Sequence, residues 1–215
     1  FNGEIYNHLE LRKNQCFKNH NWIGNSDTET LLSLFSYYEI DHILNLLDGM
    51  FAFSIYDNIE KKLFLVRDRS GEKPLYFTLN PNFLAFSSDL ISIMNLPNFD
   101  KRISKESLNE YMMYNYVPNP KTIFESVYQL PPSSYIKFEL VDLKFKKTQN
   151  FHNLISEKYV DYKKWWNIEN HYNKNNQKID HIKNIEIILS KSIKNRLISD
   201  VPLGAFLSGG IDSSL

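Results

Sequence analysis

The apolar positions of this chain fall into two rhythms, short near-continuous runs and one stripe at steps of three and four. Met50 to Tyr56 is a strongly apolar run, Asp57-Asn58 begins a turn, and Lys62 to Val66 returns, which predicts a hairpin. Leu75 to Leu79 and Phe83 to Phe86 predict a second pair across Asn80-Pro81-Asn82. Tyr135 to Leu140 reads as a further strand after the turn Leu130-Pro131-Pro132-Ser133-Ser134. Helices are predicted beside these strands. Ser26-Asp27-Thr28-Glu29 has the spacing of a capping box ahead of the apolar stretch Leu31 to Tyr38, so a helix starts at Thr28 or just before it. His42 to Leu47 predicts a short helix ended by Gly49 in a left-handed conformation. Ser104 caps another that reaches Tyr114, before Pro118 and Pro120 stop it. Antiparallel strands with helices alongside predict an α+β layered domain over residues 1–143.

From Lys144 to Gln177 the pattern becomes polar and irregular, with Trp165-Trp166 as its large apolar anchor, and residues 144–177 read as a connecting segment. Ile182, Ile185, Leu189, Ile193 and Leu197 then form the helical stripe, read as core, in a second region over 178–215. That helix leads to Val201-Pro202-Leu203-Gly204-Ala205-Phe206-Leu207, read as a short buried strand, and then to Ser208-Gly209-Gly210-Ile211-Asp212-Ser213-Ser214. One strand and one loop cannot build an open parallel sheet. The opening Phe1-Asn2-Gly3 has neither initiator Met nor leader, so the chain is expected to be an internal fragment of a longer protein.

Composition narrows the picture without naming a chemistry. Two hundred and fifteen residues, 42% of them hydrophobic and 14% aromatic, suffice for one substantial core and part of a second. Lys plus Arg equals Asp plus Glu at 25 each, so no net field argues for nucleic acid or an anionic membrane. No apolar run approaches the ~20 residues that span a bilayer. The single cysteine, Cys16, excludes an internal disulfide framework and fits a reducing cytosol, from which a cytoplasmic location is expected.

Chemistry is concentrated at the two ends. Ser208-Gly209-Gly210 with Asp212 and Ser213 exposes a run of backbone N–H groups between a strand and a helix start, which suits an anion. The spacing is not that of a standard P-loop. It resembles the SGGxDSS pyrophosphate loop of the ATP-pyrophosphatase family, against the blander reading of a Ser/Gly-rich turn. At the other end, Asn2-Gly3 taken alone is a common hairpin turn signal. Asp27 is, at the least, an acid in a first helical turn, where the dipole favours it. Arg67-Asp68 reads as a buried ion pair with a structural role, Gly71 and Pro74 as turn residues, and Cys16 as a buried or incidental thiol. The six histidines show no metal-ligand spacing, and no metal site is expected.

In their order, these runs resemble one family closely. Asn2-Gly3-Glu4-Ile5-Tyr6-Asn7, Ser26-Asp27-Thr28-Glu29, Leu47-Asp48-Gly49-Met50-Phe51-Ala52-Phe53, Arg67-Asp68-Arg69-Ser70-Gly71-Glu72-Lys73-Pro74, Tyr116-Val117-Pro118, Leu130-Pro131-Pro132 and the terminal loop are similar to glutamine-hydrolysing asparagine synthetases of the bacterial type. The resemblance implies an αββα N-terminal-nucleophile glutaminase sandwich, truncated at its N-terminus, followed by the first helix and strand of an α/β adenine-nucleotide-binding synthetase domain. It also implies roles. Asn2 and Gly3 would form an oxyanion hole, which fits a side-chain amide beside a backbone N–H. Glu4 and Asp27 would bind glutamine together with Asn2 and Gly3, Asp27 through the α-ammonium. Leu207, Ser208, Gly209, Gly210, Asp212 and Ser213 would hold ATP and its pyrophosphate, with Mg²⁺ accompanying the triphosphate. The family's nucleophile is a cysteine at the mature N-terminus; Cys16 lies inside the chain with no family motif around it, so the isolated fragment is expected to be inactive.

The implied activity is ATP-dependent transfer of ammonia from glutamine to a carboxylate, with aspartate as acceptor. The implied partners are small molecules, and a homodimer is compatible with the pattern. Two rivals stay open at this point: amidation of another carboxylate, such as a uronic acid in polysaccharide synthesis, and a non-catalytic homologue.

Overall fold

The computed structural model describes residues 1–81, 83–140, 150–171, 181–198 and 201–214. Two compact units divide the chain, Phe1–Tyr172 and Asn173–Leu215.

The first unit runs β1 (Asn2–Ile5), α1 (His8–Leu11), α2 (Asp27–Leu34), α3 (Ile40–Leu46), β2 (Gly49–Asp57), β3 (Lys62–Arg67), β4 (Tyr76–Asn80), β5 (Phe83–Ser87), α4 (Leu90–Met94), α5 (Lys105–Tyr114), β6 (Val127–Gln129), β7 (Ser134–Glu139), α6 (Phe151–Ile155) and β8 (Val160–Lys164). A five-stranded sheet has the order β1-β2-β3-β7-β8 and a three-stranded sheet the order β5-β4-β6. Every pairing is antiparallel.

Alternation along the strands explains the layering. On β2, Phe51 and Phe53 face the helices and join Leu31, Leu34, Ile43 and Leu44 in one core. Ala52 faces the other way, into a second core with Leu65, Phe77, Ile136 and Phe138 between the two sheets. A sheet buried on both faces suits the nearly unbroken apolar runs of β2 and β3. Helix α4 lies against β4 and β5 on the second sheet. The unit is α+β, with the two sheets inside and helices outside, as expected.

Local expectations fare unevenly. Ser26 caps α2, its hydroxyl accepting the Thr28 N–H at 3.1 Å, and Ser104 caps α5. Gly49 does not end α3 in a left-handed turn. It begins β2, where an added Cβ would lie 2.2 Å from the Glu4 carbonyl, so the residue is small because strand β1 crosses it closely.

Of the supposed connector, residues 150–171 belong to the first unit. Strand β8 completes the five-stranded sheet against β7, and Trp165 is buried in the helical core. The polar character of β8 is that of an edge strand with one wet face. Residues 144–149 and 172–177 lie outside the described residues.

In the second unit, α7 (His181–Asn195) carries the apolar stripe and α8 (Ile211–Ser214) follows the terminal loop. The stripe is helical, as its period predicts, and among the described residues Ile182, Ile185, Leu189 and Ile193 are exposed. Residues 201–207 are likewise exposed and form no strand. A strand needs a lateral partner for its N–H and C=O groups, and no described segment of this unit pairs with it. No helix among the described residues is long and apolar enough to cross a membrane.

Candidate functional site

Strand β1 is the outer strand of the larger sheet, so among the described residues one of its edges has no strand beside it. Into that edge reaches Asp27, the first residue of α2, whose Oδ2 accepts the Ile5 N–H at 3.0 Å. Its Oδ1 accepts the Thr28 hydroxyl at 3.2 Å. A carboxylate has about four acceptor positions, so further donors can be taken. Asn2, Gly3, Glu4 and Asp27 are therefore brought to one edge, although Asn2 and Asp27 lie 25 positions apart in the chain.

The N–H groups of a strand alternate in direction. Ile5 turns its N–H outward to Asp27, while that of Tyr6 reaches inward to Asp48 at 2.8 Å. Gly3, two residues before Ile5, shares its outward direction. Gly3 adopts φ +146°, and a Cβ there would lie 2.1 Å from the Met50 carbonyl and 2.7 Å from Phe51 Cα. Close approach to β2 together with this backbone angle leaves room for glycine alone.

Arg12 on the turn after α1 anchors the approach to Asp27. Its guanidinium donates to the Thr30 hydroxyl at 2.7 Å, the Gly24 carbonyl at 2.8 Å and the Ser26 carbonyl at 2.8 Å, and it lies 4.0 Å over the Trp22 ring. Glu29 does not return to Ser26, as a capping box would require, but accepts the N–H groups of Ile23 and Gly24. Those backbone bonds, first Ile23 and then Gly24, hold its carboxyl below the ordinary range, with Arg12 assisting. His8 is buried close by, its Nδ1 without a hydrogen-bond partner. Burial pushes its imidazole below the ordinary value, opposed by Asp27 and assisted by Arg12.

Opposite β1, the Arg67-Asp68 run is structural, but not as an ion pair. The Arg67 guanidinium donates to the carbonyls of Lys73, Leu130 and Gly71 at 2.7–2.8 Å. Asp68 accepts the N–H groups of Phe51, Ser70, Glu72 and Lys73 at 3.0–3.3 Å. Both charges are spent on backbone, which ties the 68–73 loop to β2 at Phe51, the register partner of Gly3. Gly71 is a turn residue as expected, with φ +69°. Cys16 is half-buried and packs against the helical core.

In the second unit, Leu207, Ser208, Gly209, Gly210, Asp212 and Ser213 are exposed around the start of α8. Gly209 has φ +75°, and nothing lies within 4 Å of where its Cβ would be. The Ser208 and Ser213 hydroxyls are 2.9 Å apart, and the N–H groups of Ser208 and Gly210 rest on them through bonds of 3.3 and 3.4 Å. Such long bonds are readily exchanged for an anion's oxygens, so this donor set fits a phosphate. No group of His, Cys, Asp and Glu suited to a metal ion occurs among the described residues.

Two contributors escaped the sequence reading. Ser88, after β5, accepts the Asn2 side-chain N–H at 3.1 Å. His8, buried beside Asp27, is the other. Neither carries a sequence signal beyond a small polar residue and a histidine beside a strand end.

With this geometry in view, comparison with known proteins is unambiguous about class. Residues 1–151 match the glutamine amidotransferase domain model and residues 184–215 the asparagine synthase model. The chain belongs to the glutamine amidotransferase domain family. It is 35% identical over 217 aligned residues to asparagine synthetase [glutamine-hydrolyzing] 1 of Bacillus subtilis, covering all of this chain and 31% of that protein. To asparagine synthetase [glutamine-hydrolyzing] 3 of the same organism it is 30% identical, with 100% and 32% covered. The chain thus spans about a third of the length of these curated relatives. Among solved structures, the Bacillus subtilis glutamine phosphoribosylpyrophosphate amidotransferase aligns with a TM-score of 0.45 at 16% identity, over 69% of this chain and 28% of that one. A likeness so distant carries no argument about the site.

Proposed function

We propose that the chain is the glutamine-binding part, with the start of the synthetase part, of an ATP-dependent enzyme that hydrolyses glutamine and amidates aspartate to asparagine. The observation that carries this reading is the joining of Asp27 to the outer edge of β1, beside Asn2, Gly3 and Glu4. Amide hydrolysis places negative charge on the carbonyl oxygen. The Asn2 amide and the outward Gly3 N–H are donors of the right kind to receive it, each worth on the order of 10²-fold in rate or more. Asp27 offers its remaining acceptor capacity to the α-ammonium, and Glu4 adds a second acid from β1 itself.

A carboxylate resists attack by ammonia until its oxygen becomes a leaving group, and ATP as substrate supplies that activation. Ser208, Gly209, Gly210 and Ser213 would hold the pyrophosphate, Asp212 would stand beside them, and Leu207 would lie against the nucleoside. Mg²⁺ neutralises the phosphate charge when bound. The nucleotide would be held by residues of the second unit, the glutamine by residues of the first.

The test uses the full-length gene product with amide-¹⁵N glutamine, ATP, Mg²⁺ and aspartate. The expected products are ¹⁵N-asparagine, glutamate, AMP and pyrophosphate in equal amounts. Pyrophosphate release that depends on a uronic acid instead would assign a different acceptor. Absence of glutamine hydrolysis under all conditions would mark a binding homologue and overturn the proposal.

A further inference from the structure

Asn2 lies on the outer strand of the five-stranded sheet and Ser88 directly after the outer strand of the three-stranded sheet, 86 residues away. Their hydrogen bond, Asn2 Nδ2 to Ser88 Oγ at 3.1 Å, is a polar contact reaching from one sheet's margin to the other's. Ser88 is itself held on both sides. Ser87 before it pairs with Tyr76 in the register of β4 and β5, and its hydroxyl accepts the Asp89 N–H at 3.2 Å. Asp89 after it caps α4, accepting the Ser92 N–H at 2.8 Å. A strand on one side and a helix cap on the other hold the Ser88 backbone, which confines its hydroxyl to the few rotamers of one short side chain.

A primary amide carries two N–H donors in one plane, set by rotation about a single soft torsion. Catalytic benefit from such a donor depends on its being aimed before charge develops, since reorientation at that moment would cost what the hydrogen bond gains. We propose that Ser88 is a positioning residue: by accepting one N–H of Asn2 from the opposite sheet, it fixes the amide plane and leaves the second N–H for the oxyanion. This inference rests on the reading of Asn2 as an oxyanion donor. It assigns a role to a residue that would touch neither glutamine nor the reacting atoms, and it makes the docking of the two sheets part of the catalytic geometry.

The experiment measures glutamate release and ammonia-supported amide synthesis in the full-length enzyme for Asn2→Ala, Ser88→Ala and Ser88→Thr. Ser88→Ala is expected to lower kcat for glutamine hydrolysis about tenfold, less than the 10²- to 10³-fold for outright loss of a donor. KM should stay within about twofold, ammonia-supported synthesis should be unchanged, and Ser88→Thr, which keeps the hydroxyl, should recover most of the rate. Should Ser88→Ala fail to fold, Ser88→Cys, of similar size but a poor acceptor, is expected to show the same loss. If Asn2→Ala falls a hundredfold while both Ser88→Ala and Ser88→Cys keep wild-type kcat, the positioning role is wrong and the oxyanion reading stands. An equal fall in the glutamine- and ammonia-supported rates would mean a structural role alone, and would also overturn it. If Asn2→Ala hydrolyses glutamine normally, the oxyanion reading itself fails and this inference with it.

Discussion

Replacing Asp68 by Asn tests how the β1 edge, proposed above to bind glutamine, is held in place. The carboxylate is 1% exposed and accepts four backbone N–H groups: Ser70 and Glu72 on Oδ1 at 3.0 Å, Phe51 and Lys73 on Oδ2 at 3.3 and 3.0 Å. Asparagine has one acceptor oxygen. It keeps one pair of donors and turns its own NH₂ toward the other pair, so two charge-assisted bonds are lost. At roughly 1.5–3 kcal/mol each, the loss is about 3–6 kcal/mol. Partial solvent access to the Lys73 side of the loop favours the lower end, about 3 kcal/mol. Denaturant unfolding of the chain reads this as a fall in midpoint at constant slope, and thermal unfolding as a drop of roughly 6–12 °C for a chain of this size. Phe51 is both an Asp68 partner and the register partner of Gly3. The variant should therefore also weaken glutamine use in the full-length enzyme before global unfolding sets in. A variant within about 1 kcal/mol of wild type would refute the claim that this carboxylate organises the loop.

Other substitutions probe the same frame. Gly3→Ala places a Cβ against the Met50 carbonyl at an unfavourable φ, and should cost several kcal/mol or prevent folding, read by circular dichroism and yield. Ser26→Ala removes the α2 cap and should cost about 1 kcal/mol in chemical unfolding, with little change in fold. His8 has a folded-state value below that of the unfolded chain, so the unfolded state binds its proton first. Stability conferred by neutral His8 is present above about pH 6.5 and is lost as pH falls through the folded value. His8→Gln should flatten the fall in stability between neutral and mildly acidic pH; an unchanged slope would assign that fall to other groups. Tyr135 behaves oppositely: burial first, then Asp41 and Asp161, push its phenol up to about 12, so its contribution is lost on raising pH beyond about 10. Tyr135→Phe should remove that alkaline dependence.

The elements legible in the sequence are those whose pattern is local. The β2–β3 and β4–β5 hairpins, the Ser26 and Ser104 caps and the Gly71 turn each depend on neighbours within a few residues, and propensity and tertiary demand agree there. The misread elements depend on partners far along the chain. β8 looks polar because it is an edge strand, and only pairing with β7 makes it one. Gly49 is small because β1 crosses it, not because a helix ends there. The apolar stripe on α7 gave the right period, but period does not say whether a partner covers it. The candidate site divides in the same way. Motifs alone nominate Asn2, Gly3, Glu4 and Asp27 as candidates, whereas Ser88 and the four-donor Asp68 knot follow from sheet packing alone.

The most direct test of the account is the steady-state kinetics of Asp27→Ala in the full-length enzyme, with glutamine and with ammonia as nitrogen source. A charged hydrogen bond of about 1.5–3 kcal/mol to the α-ammonium corresponds to a rise of about 10- to 150-fold in KM for glutamine. Ammonia-supported synthesis should be unchanged. An unaltered KM for glutamine in a folded variant would contradict the assignment of the β1 edge as the glutamine site.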